Sequence, residues 1–165
     1  MSRSFRILSL DGGGIRGVFS ASVLATIEEM SGTYMRKHFD LITGTSTGGI
    51  IAIGLGLGLS ANEILDFFKK YGPQVFPNIG ITHSAVYTLR HFFGPKFSTR
   101  PLKEGLKQVL GVKCLGHSEV RLVVPSYDAI SGRIHLFKTA HHADFKQDYK
   151  RPAWEVAMGT SAAPT

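Results

Sequence analysis

The chain has 165 residues, 43% of them hydrophobic and 19% charged, and it contains a single cysteine. This length and apolar content suit one ordered domain and exclude a disordered tail protein, while one cysteine excludes a disulfide scaffold and an all-thiolate metal site. Lysine and arginine exceed aspartate and glutamate by 7, so the surface should attract nucleic acid, anionic lipid or an acidic small molecule.

Neither of the two apolar stretches near the start of the chain predicts a targeting or membrane segment. Ile7 to Leu10 is too short for a secretory signal. Leu41 to Ala61 has the length of a membrane span, but it contains six glycines and a Thr-Gly-Thr-Ser-Thr-Gly-Gly run whose polar groups hydrocarbon would penalise. We therefore expect this stretch to be buried protein interior, and the protein to be cytoplasmic or peripheral at membranes.

Two strand–turn–helix units open the chain. Phe5 to Leu10 predicts a strand, three glycines follow, and apolar residues then recur at helical spacing from Phe19 to Met30. Phe39 to Thr43 predicts a second strand, which leads through another glycine-rich turn into a buried helix from Ile50 to Leu57. Because parallel strands need crossover connections, the two units favour a parallel sheet covered by helices.

The rest of the chain predicts three further helices and a hairpin that extends the same sheet. Ser60 and Glu63 form a capping box at the start of the first of these helices. Proline and glycine punctuate residues 72–98, where at most one short helix fits, around Ser84 to Phe92. The remaining predicted elements are an amphipathic helix that stops at Gly111, strands at Val120 to Ser126 and Arg133 to Lys138, and a helix from Pro152.

The second glycine turn carries a candidate nucleophile. Gly44-Thr45-Ser46-Thr47-Gly48 matches G-x-S-x-G, in which the serine occupies a strained corner between a strand and a helix. Gly44 and Gly48 are required there because a side chain at either position would clash with the corner. The helix that follows directs its positive end towards the reacting centre. The pattern predicts Ser46 as a catalytic serine, and a plain glycine-rich turn is its alternative.

The first glycine turn, Gly12-Gly13-Gly14-Ile15-Arg16-Gly17, allows two functions. It satisfies G-x-G-x-x-G after a strand, which is typical of a Rossmann-like nucleotide site, but Asp11 would place a carboxylate beside the pyrophosphate. In acyl transfer, the same amides would form an oxyanion hole, and Arg16 could fix the loop or meet a lipid phosphate. Parallel neighbouring strands would bring this turn and Ser46 to one edge of the sheet.

The two turns together resemble the paired motifs of patatin-like phospholipases. Asp-Gly-Gly-Gly-Ile-Arg-Gly at 11–17, Gly-Thr-Ser-Thr-Gly-Gly at 44–49 and Thr-Ser-Ala-Ala-Pro at 160–164 stand in the order and spacing of that family, over essentially the whole chain. The resemblance implies a three-layer α/β/α domain with a mainly parallel sheet, and a lipid acyl hydrolase with a Ser-Asp dyad. Ser46 matches the nucleophile; the oxyanion loop is matched by Gly12, Gly13, Gly14 and Arg16.

The family's catalytic base is missing from the sequence. It is an aspartate in a D-G-[GA] motif that lies beyond the Ser-Ala-Ala-Pro segment, and the chain ends within that segment at Thr165. Asp11 imitates the motif but belongs to the oxyanion loop. We therefore interpret residues 1–165 as a single patatin-like domain that is incomplete at its carboxyl end, and expect poor hydrolysis, or none, from this chain alone.

Other residues could carry related chemistry. A Ser-His-Asp esterase would use Asp128 with His135 or His141, in α/β-hydrolase order. Ser161 repeats the Gly-Thr-Ser tripeptide of the elbow but has alanine at the second glycine position. The adjacent His141 and His142 lack metal-ligand spacing, so we expect no metal site and no cofactor.

The expected partners are a phospholipid or galactolipid substrate and a membrane surface. Excess basic residues favour anionic bilayers, whereas their scattered positions and the lack of a recognised motif argue against nucleic acid. The aromatic residues between Phe76 and Phe97 either pack over the sheet or form a flap that touches lipid.

Overall fold

The computed structural model describes residues 4–75 and 99–162. Within them, nine regular elements alternate along the chain: β1 (Ile7–Leu10), α1 (Gly17–Ser31), β2 (Leu41–Gly44), α2 (Thr47–Gly56), α3 (Ala61–Val75), α4 (Thr99–Leu110), β3 (Arg121–Asp128), β4 (Arg133–Lys138) and α5 (Ala153–Ser161). The short helix expected around residues 84–92, the aromatic segment 76–97 and the final residues 163–165 lie outside the described residues.

The four strands form one sheet in the order β1-β2-β3-β4. β1 pairs with β2 and β2 with β3 in parallel, whereas β3 and β4 form an antiparallel hairpin. The crossovers through α1 and through α2 to α4 make the parallel pairs possible. The predicted α/β class, the mainly parallel sheet and the hairpin that extends it are therefore confirmed.

One face of the sheet is buried. Leu10, Ile42, Leu122 and Val124 point into the core, where α2 and α5 pack against the strands. The opposite face leaves Ile7, Ile134 and Leu136 exposed. A helical layer over this second face is not seen within residues 4–75 and 99–162.

Helices α1 and α2 differ in how much of their surface is buried. Every residue of α2 is buried, as expected for this apolar segment. Helix α1 buries Gly17, Ala21 and Ala25, whereas Phe19 and Met30 are 73% and 83% exposed. Of the large apolar residues at helical spacing, Leu24 is buried, and the rest of the apolar buried face is formed by small residues, which allow α1 to approach its neighbours. Among the described residues, no helix is long and apolar enough to cross a membrane.

Helix α3 shows the predicted cap and an unpredicted end. Glu63 accepts hydrogen bonds from the amide and hydroxyl of Ser60 at 2.8 and 2.9 Å, which confirms the capping box. The irregular stretch was expected to begin at Gly72, but the helix continues through Pro73 to Val75. Proline in the last turn removes only one main-chain hydrogen bond, so the helix extends past it.

Candidate active site

The two glycine turns leave the sheet at the same edge. The register of β1 and β2 pairs Leu10 with Gly44, so both strands end at one level. The chain then turns at Asp11 on one strand and at Thr45 on the other, and the Thr45 amide donates to the Leu10 carbonyl at 3.3 Å. The expectation that the turns share one sheet edge is confirmed.

Ser46 occupies a strained main-chain position between β2 and α2. Its φ is 53° and its ψ is −123°, and it is the one non-glycine residue with positive φ among the described residues. Such strain costs on the order of 1–3 kcal/mol and is found mainly where function requires it. The half-buried serine is thereby held at the corner that the G-x-S-x-G pattern predicts.

Two glycines make this corner possible because other main-chain atoms fill the space beside them. A Cβ atom on Gly44 would lie 2.4 Å from the carbonyl oxygen of Gly48. A Cβ atom on Gly48 would lie 2.2 Å from the carbonyl oxygen of Leu10. These contacts are shorter than any real Cβ contact, so the steric reason given for both glycines holds in the structure.

The glycine loop after β1 lies directly against the serine. A Cβ atom on Gly12 would stand 2.8 Å from Cβ of Ser46 and 2.7 Å from the Thr45 carbonyl oxygen. The Gly12 amide donates to Oγ1 of Thr45 at 3.3 Å, and the Gly13 amide donates to Oγ1 of Thr47 at 3.2 Å. The threonines that flank Ser46 therefore hold the loop in register with it, a role that the sequence analysis did not assign.

Arg16 closes the loop on itself. Its amide donates to the carbonyl of Gly13 at 3.2 Å, and its Nε makes a long contact of 3.5 Å with the same oxygen. Gly14 begins a 3-10 turn with φ of 58°, a left-handed conformation that glycine adopts without strain. The arrangement turns the carbonyl of Gly13 towards Arg16 and keeps it occupied.

Helix α2 begins immediately after the serine. The Ser46 carbonyl accepts the first helical bond from Ile50 at 3.0 Å. The partial positive charge of a helix amino terminus thus lies beside the hydroxyl, where it would stabilise negative charge. Because α2 is completely buried, solvent screens this field less than it would on an exposed helix.

A residue far along the chain completes the support of the turn. The Ser46 amide donates to Oγ1 of Thr160 at 3.0 Å. Thr160 lies in the last turn of α5, within the Thr-Ser-Ala-Ala-Pro segment. Its neighbour Ser161 instead donates to the Ala157 carbonyl of its own helix at 2.8 Å. Ser161 carries the tripeptide repeat, but Thr160 beside it is the residue that contacts Ser46.

The structure does not assemble the Ser-His-Asp alternative. His135 lies on β4, two strands and so about 10 Å from β2, and its Nε2 contacts Asp148 at 3.1 Å. His141 follows the far end of β4, at the sheet edge opposite Ser46, and its Nδ1 contacts the hydroxyl of Thr139.

The carboxylate of Asp128 serves the turn of the hairpin. Ser131 Oγ and the Ile130 amide donate to it at 2.7 and 3.0 Å. These hydrogen bonds, that from Ser131 foremost, favour the ionised carboxylate and lower the pKa of Asp128. The partners of the Asp128 carboxylate in these hydrogen bonds are thus residues of the hairpin turn and neither His135 nor His141.

The Rossmann-like alternative needs a ribose-binding carboxylate near the glycine loop, and Asp40, the candidate for it, lies at the opposite ends of the strands. Asp40 precedes β2, and its Oδ2 accepts from the Arg6 amide at 2.8 Å. Both residues stand at the amino ends of their strands, whereas the Gly12 loop follows the carboxyl end of β1. A ribose-binding carboxylate belongs at the carboxyl end of the second strand. The geometry therefore favours acyl transfer over dinucleotide binding at this loop.

A cleft of about 370 Å³ lies between β3, β4 and α5. Its lining combines apolar Phe137 and Val156 with charged Arg151 and Glu155. Neither Ser46 nor the glycine loop lines it. Among the described residues, no group of three His, Cys, Asp or Glu side chains could hold a metal ion.

Comparisons with known proteins identify the family of the chain. A model of the patatin-like phospholipase family matches residues 8–165. The chain is 36% identical to a cGAMP-activated phospholipase of Vibrio cholerae, covering 100% of this chain and 50% of that protein. It is 37% identical to a cGAMP-activated phospholipase of Escherichia coli, covering 97% of this chain and 46% of that protein. It is 32% identical to patatin-like protein 1 of Arabidopsis thaliana, covering 96% of this chain and 42% of that protein.

Solved structures share the fold at lower identity. VipD of Legionella pneumophila superposes with a TM-score of 0.53 at 15% identity, covering 99% of this chain and 43% of that one. ExoU of Pseudomonas aeruginosa, in complex with SpcU, gives 0.54 at 18% identity, covering 97% and 38%. The chain spans about half the length of the curated relatives that it matches. On the family match and these identities, the chain belongs to the patatin-like phospholipases.

Proposed function

We propose that this chain is the nucleophile-bearing part of a lipid acyl hydrolase, in which Oγ of Ser46 attacks the ester carbonyl of a glycerolipid. The observation that carries the proposal is the contact between two turns: Ser46, with its φ of 53°, lies against Gly12 of the glycine loop. Family membership supports hydrolysis of a lipid ester.

The glycine loop is the proposed oxyanion hole. The amides of Gly12, Gly13 and Gly14 would donate to the oxygen that becomes negative when the serine attacks, and one such donor is worth about 3 kcal/mol of barrier. The first two amides make long bonds to threonine hydroxyls, at 3.3 and 3.2 Å. A charged oxyanion is a stronger acceptor than a neutral hydroxyl, so it would replace these partners.

The reaction proceeds through an acyl-enzyme. Ser46 loses its proton to a base as Oγ bonds to the carbonyl carbon, and the tetrahedral intermediate then expels the alcohol part of the lipid, which takes up that proton. Water next attacks the acyl group and passes a proton to the same base, which returns it to Oγ of Ser46 as the fatty acid leaves. No cofactor enters this sequence of steps.

The proposed base is the aspartate of an Asp-Gly-Gly or Asp-Gly-Ala motif, as the family resemblance implies. Within residues 4–75 and 99–162, no hydrogen bond joins the hydroxyl of Ser46 to a carboxylate or an imidazole. The proposed dyad therefore needs an Asp-Gly-Gly or Asp-Gly-Ala motif in a longer polypeptide.

The proposed substrates are phospholipids or galactolipids presented at a membrane surface. The excess of 7 positive charges would draw the protein to anionic bilayers. Relatives in Vibrio cholerae and Escherichia coli carry the name phospholipase, which favours the phospholipid class for this chain.

A fluorophosphonate probe, followed by peptide mass spectrometry, tests the nucleophile. In a longer polypeptide that includes the proposed aspartate, we expect the probe on Ser46, no labelling of Ser46→Ala, and wild-type labelling of Ser161→Ala, whose hydroxyl bonds to its own helix. Labelling that survives Ser46→Ala would contradict the assignment.

Vesicle assays test the missing base and the substrate. The chain and the full-length Vibrio cholerae relative would be compared on vesicles of phosphatidylglycerol, phosphatidylcholine or galactolipid. We expect little or no fatty acid release by the chain. Turnover equal to that of the full-length relative would contradict the placement of the base outside these residues.

A further inference from the structure

The hydroxyl of Thr160 stands between the nucleophile turn and the neighbouring strand. It accepts a hydrogen bond from the Ser46 amide at 3.0 Å and donates one to the carbonyl of Pro125 at 2.6 Å. A threonine hydroxyl has one proton and two lone pairs, so it can make both bonds at once. The side chain is buried at the end of α5, where few water molecules could replace it.

This position is where the parallel ladder between β2 and β3 is interrupted. The strands pair Thr43 with Val123, and the register continued along both strands would direct the Ser46 amide to the Pro125 carbonyl. The chain leaves β2 at Ser46 because its φ is positive. The hydroxyl of Thr160 therefore bridges two main-chain groups that the turn has separated.

The methyl group of Thr160 also fixes the start of α2. A Cβ atom on Gly49 would lie 2.7 Å from Cγ2 of Thr160. Glycine in the first turn of α2 thus lets α5 approach until the hydroxyl reaches Ser46. One side chain supports the nucleophile turn both by hydrogen bonding and by packing.

We propose that Thr160 is a positioning residue that holds the main chain of Ser46 in its reactive conformation. The inference rests on the proposed function of Ser46 and gives a role to the Thr-Ser-Ala-Ala-Pro segment, which the reaction steps leave unused. A strained conformation persists only where its surroundings enforce it. If the hydroxyl were removed, the Ser46 amide and the Pro125 carbonyl would both lose their hydrogen bond to Thr160. The strained turn would then relax.

Two substitutions separate hydrogen bonding from shape. Thr160→Val keeps the volume but removes the hydroxyl, whereas Thr160→Ser keeps the hydroxyl. Hydrogen exchange of the Ser46 amide should become about tenfold faster in the valine variant and remain near wild type in the serine variant. In the longer polypeptide with the proposed aspartate, fluorophosphonate labelling of Ser46 should fall by about 10²-fold in the valine variant, since small displacements of reacting groups have effects of that size, and recover with serine.

Thr139→Val is the matched control. Thr139 is also buried, and its hydroxyl accepts from the Leu122 amide of β3 at 3.0 Å, near the sheet edge opposite Ser46. This variant should lose a comparable amount of stability in urea unfolding, but keep the labelling rate and the exchange rate of the Ser46 amide.

The outcomes are distinguishable. Unchanged exchange of the Ser46 amide in Thr160→Val would overturn the anchoring role, and so would equal labelling losses in the Thr160→Val and Thr139→Val variants. If exchange of the Ser46 amide responds to Thr160→Val as expected, but Ser46 is not labelled even in the longer polypeptide with the proposed aspartate, the proposed function fails while the anchoring role is confirmed. If Thr160→Val does not fold, exchange and labelling in Thr160→Ser decide, and a loss in that variant overturns the role of the hydroxyl.

Discussion

Gly12 and Ser46 are in contact across two turns, so closely that a methyl group on Gly12 would stand 2.8 Å from Cβ of the serine. The residue after Asp11 must therefore be glycine for the serine to occupy its corner. The contact couples the two motifs, because neither turn can shift without displacing the other.

Gly12→Ala should damage the site more than Gly13→Ala does. The first Cβ meets the Thr45 carbonyl at 2.7 Å, whereas the second meets only the flexible side chain of Arg16, at 3.3 Å. In the longer polypeptide with the proposed aspartate, we expect fluorophosphonate labelling of Ser46 to fall by about 10²-fold in Gly12→Ala, because the serine and the loop separate. Labelling rates of the two variants check this, and equal losses would show that the contact does not set reactivity.

Gly48→Ala should destabilise the whole domain. Its Cβ would lie 2.2 Å from the Leu10 carbonyl oxygen, so α2 must move away from β1. We expect a loss of about 3 kcal/mol in the free energy of unfolding, measured in urea. Gly159→Ala is the control: it lies in helix α5, and its nearest neighbour would be Ser126 Oγ at 3.4 Å. Alanine there should leave stability unchanged or raise it by up to about 1 kcal/mol.

Glu28→Gln should be destabilising although it removes only a charge. The buried carboxylate accepts from the Met35 amide through Oε1 and from the Ala61 amide through Oε2, both at 2.8 Å. Glutamine offers one oxygen and one NH₂ group, so one of these amides would face another donor, at a cost of about 2 kcal/mol. Thermal or urea unfolding measures this loss. Glu29→Gln, on the exposed side of α1, should change stability little, and equal effects would contradict the buried bridge.

The cap of α3 should make part of the stability depend on acid. The Ser60 amide, the Ser60 hydroxyl and more weakly the charges of Lys113 and Arg36 lower the pKa of Glu63 from its ordinary 4.5, although burial opposes them. A lowered folded-state pKa stabilises the protein above pH 4.5, and this stabilisation is lost as the pH falls through the folded value.

Ser60→Ala tests the cap. At neutral pH, the variant should lose about 1 kcal/mol in urea unfolding, the typical effect of removing such a cap. The difference from wild type should narrow well below pH 4.5, where the carboxyl of Glu63 is protonated in both proteins. If the stability difference between wild type and Ser60→Ala stays constant as the pH falls, the hydrogen bond between the Ser60 hydroxyl and the Glu63 carboxylate contributes nothing to stability.

The sequence alone predicted those elements in which the local sequence pattern matches the residues that the fold buries. The strand before Gly12, the elbow around Ser46 and the cap at Ser60 each combine an apolar run with the glycine or capping residue that the local geometry requires. Short-range sterics and hydrogen bonds decide these features, and both depend on neighbouring residues in the chain. The same logic foresaw that the two turns meet, because parallel strands end at a common edge.

Tertiary structure decided which residues do the packing and which support the serine. Phe19 and Met30 follow a helical period, yet they stay exposed while α1 buries Leu24 together with its glycine and alanines, since contact with other helices selects the closest-fitting face. Thr160 reaches the Ser46 amide because α5 packs beside α2 and β3, across more than a hundred intervening residues. A local sequence pattern predicts the secondary structure of one segment. The hydrogen-bond partner of a buried amide depends on how segments distant in the sequence pack against each other.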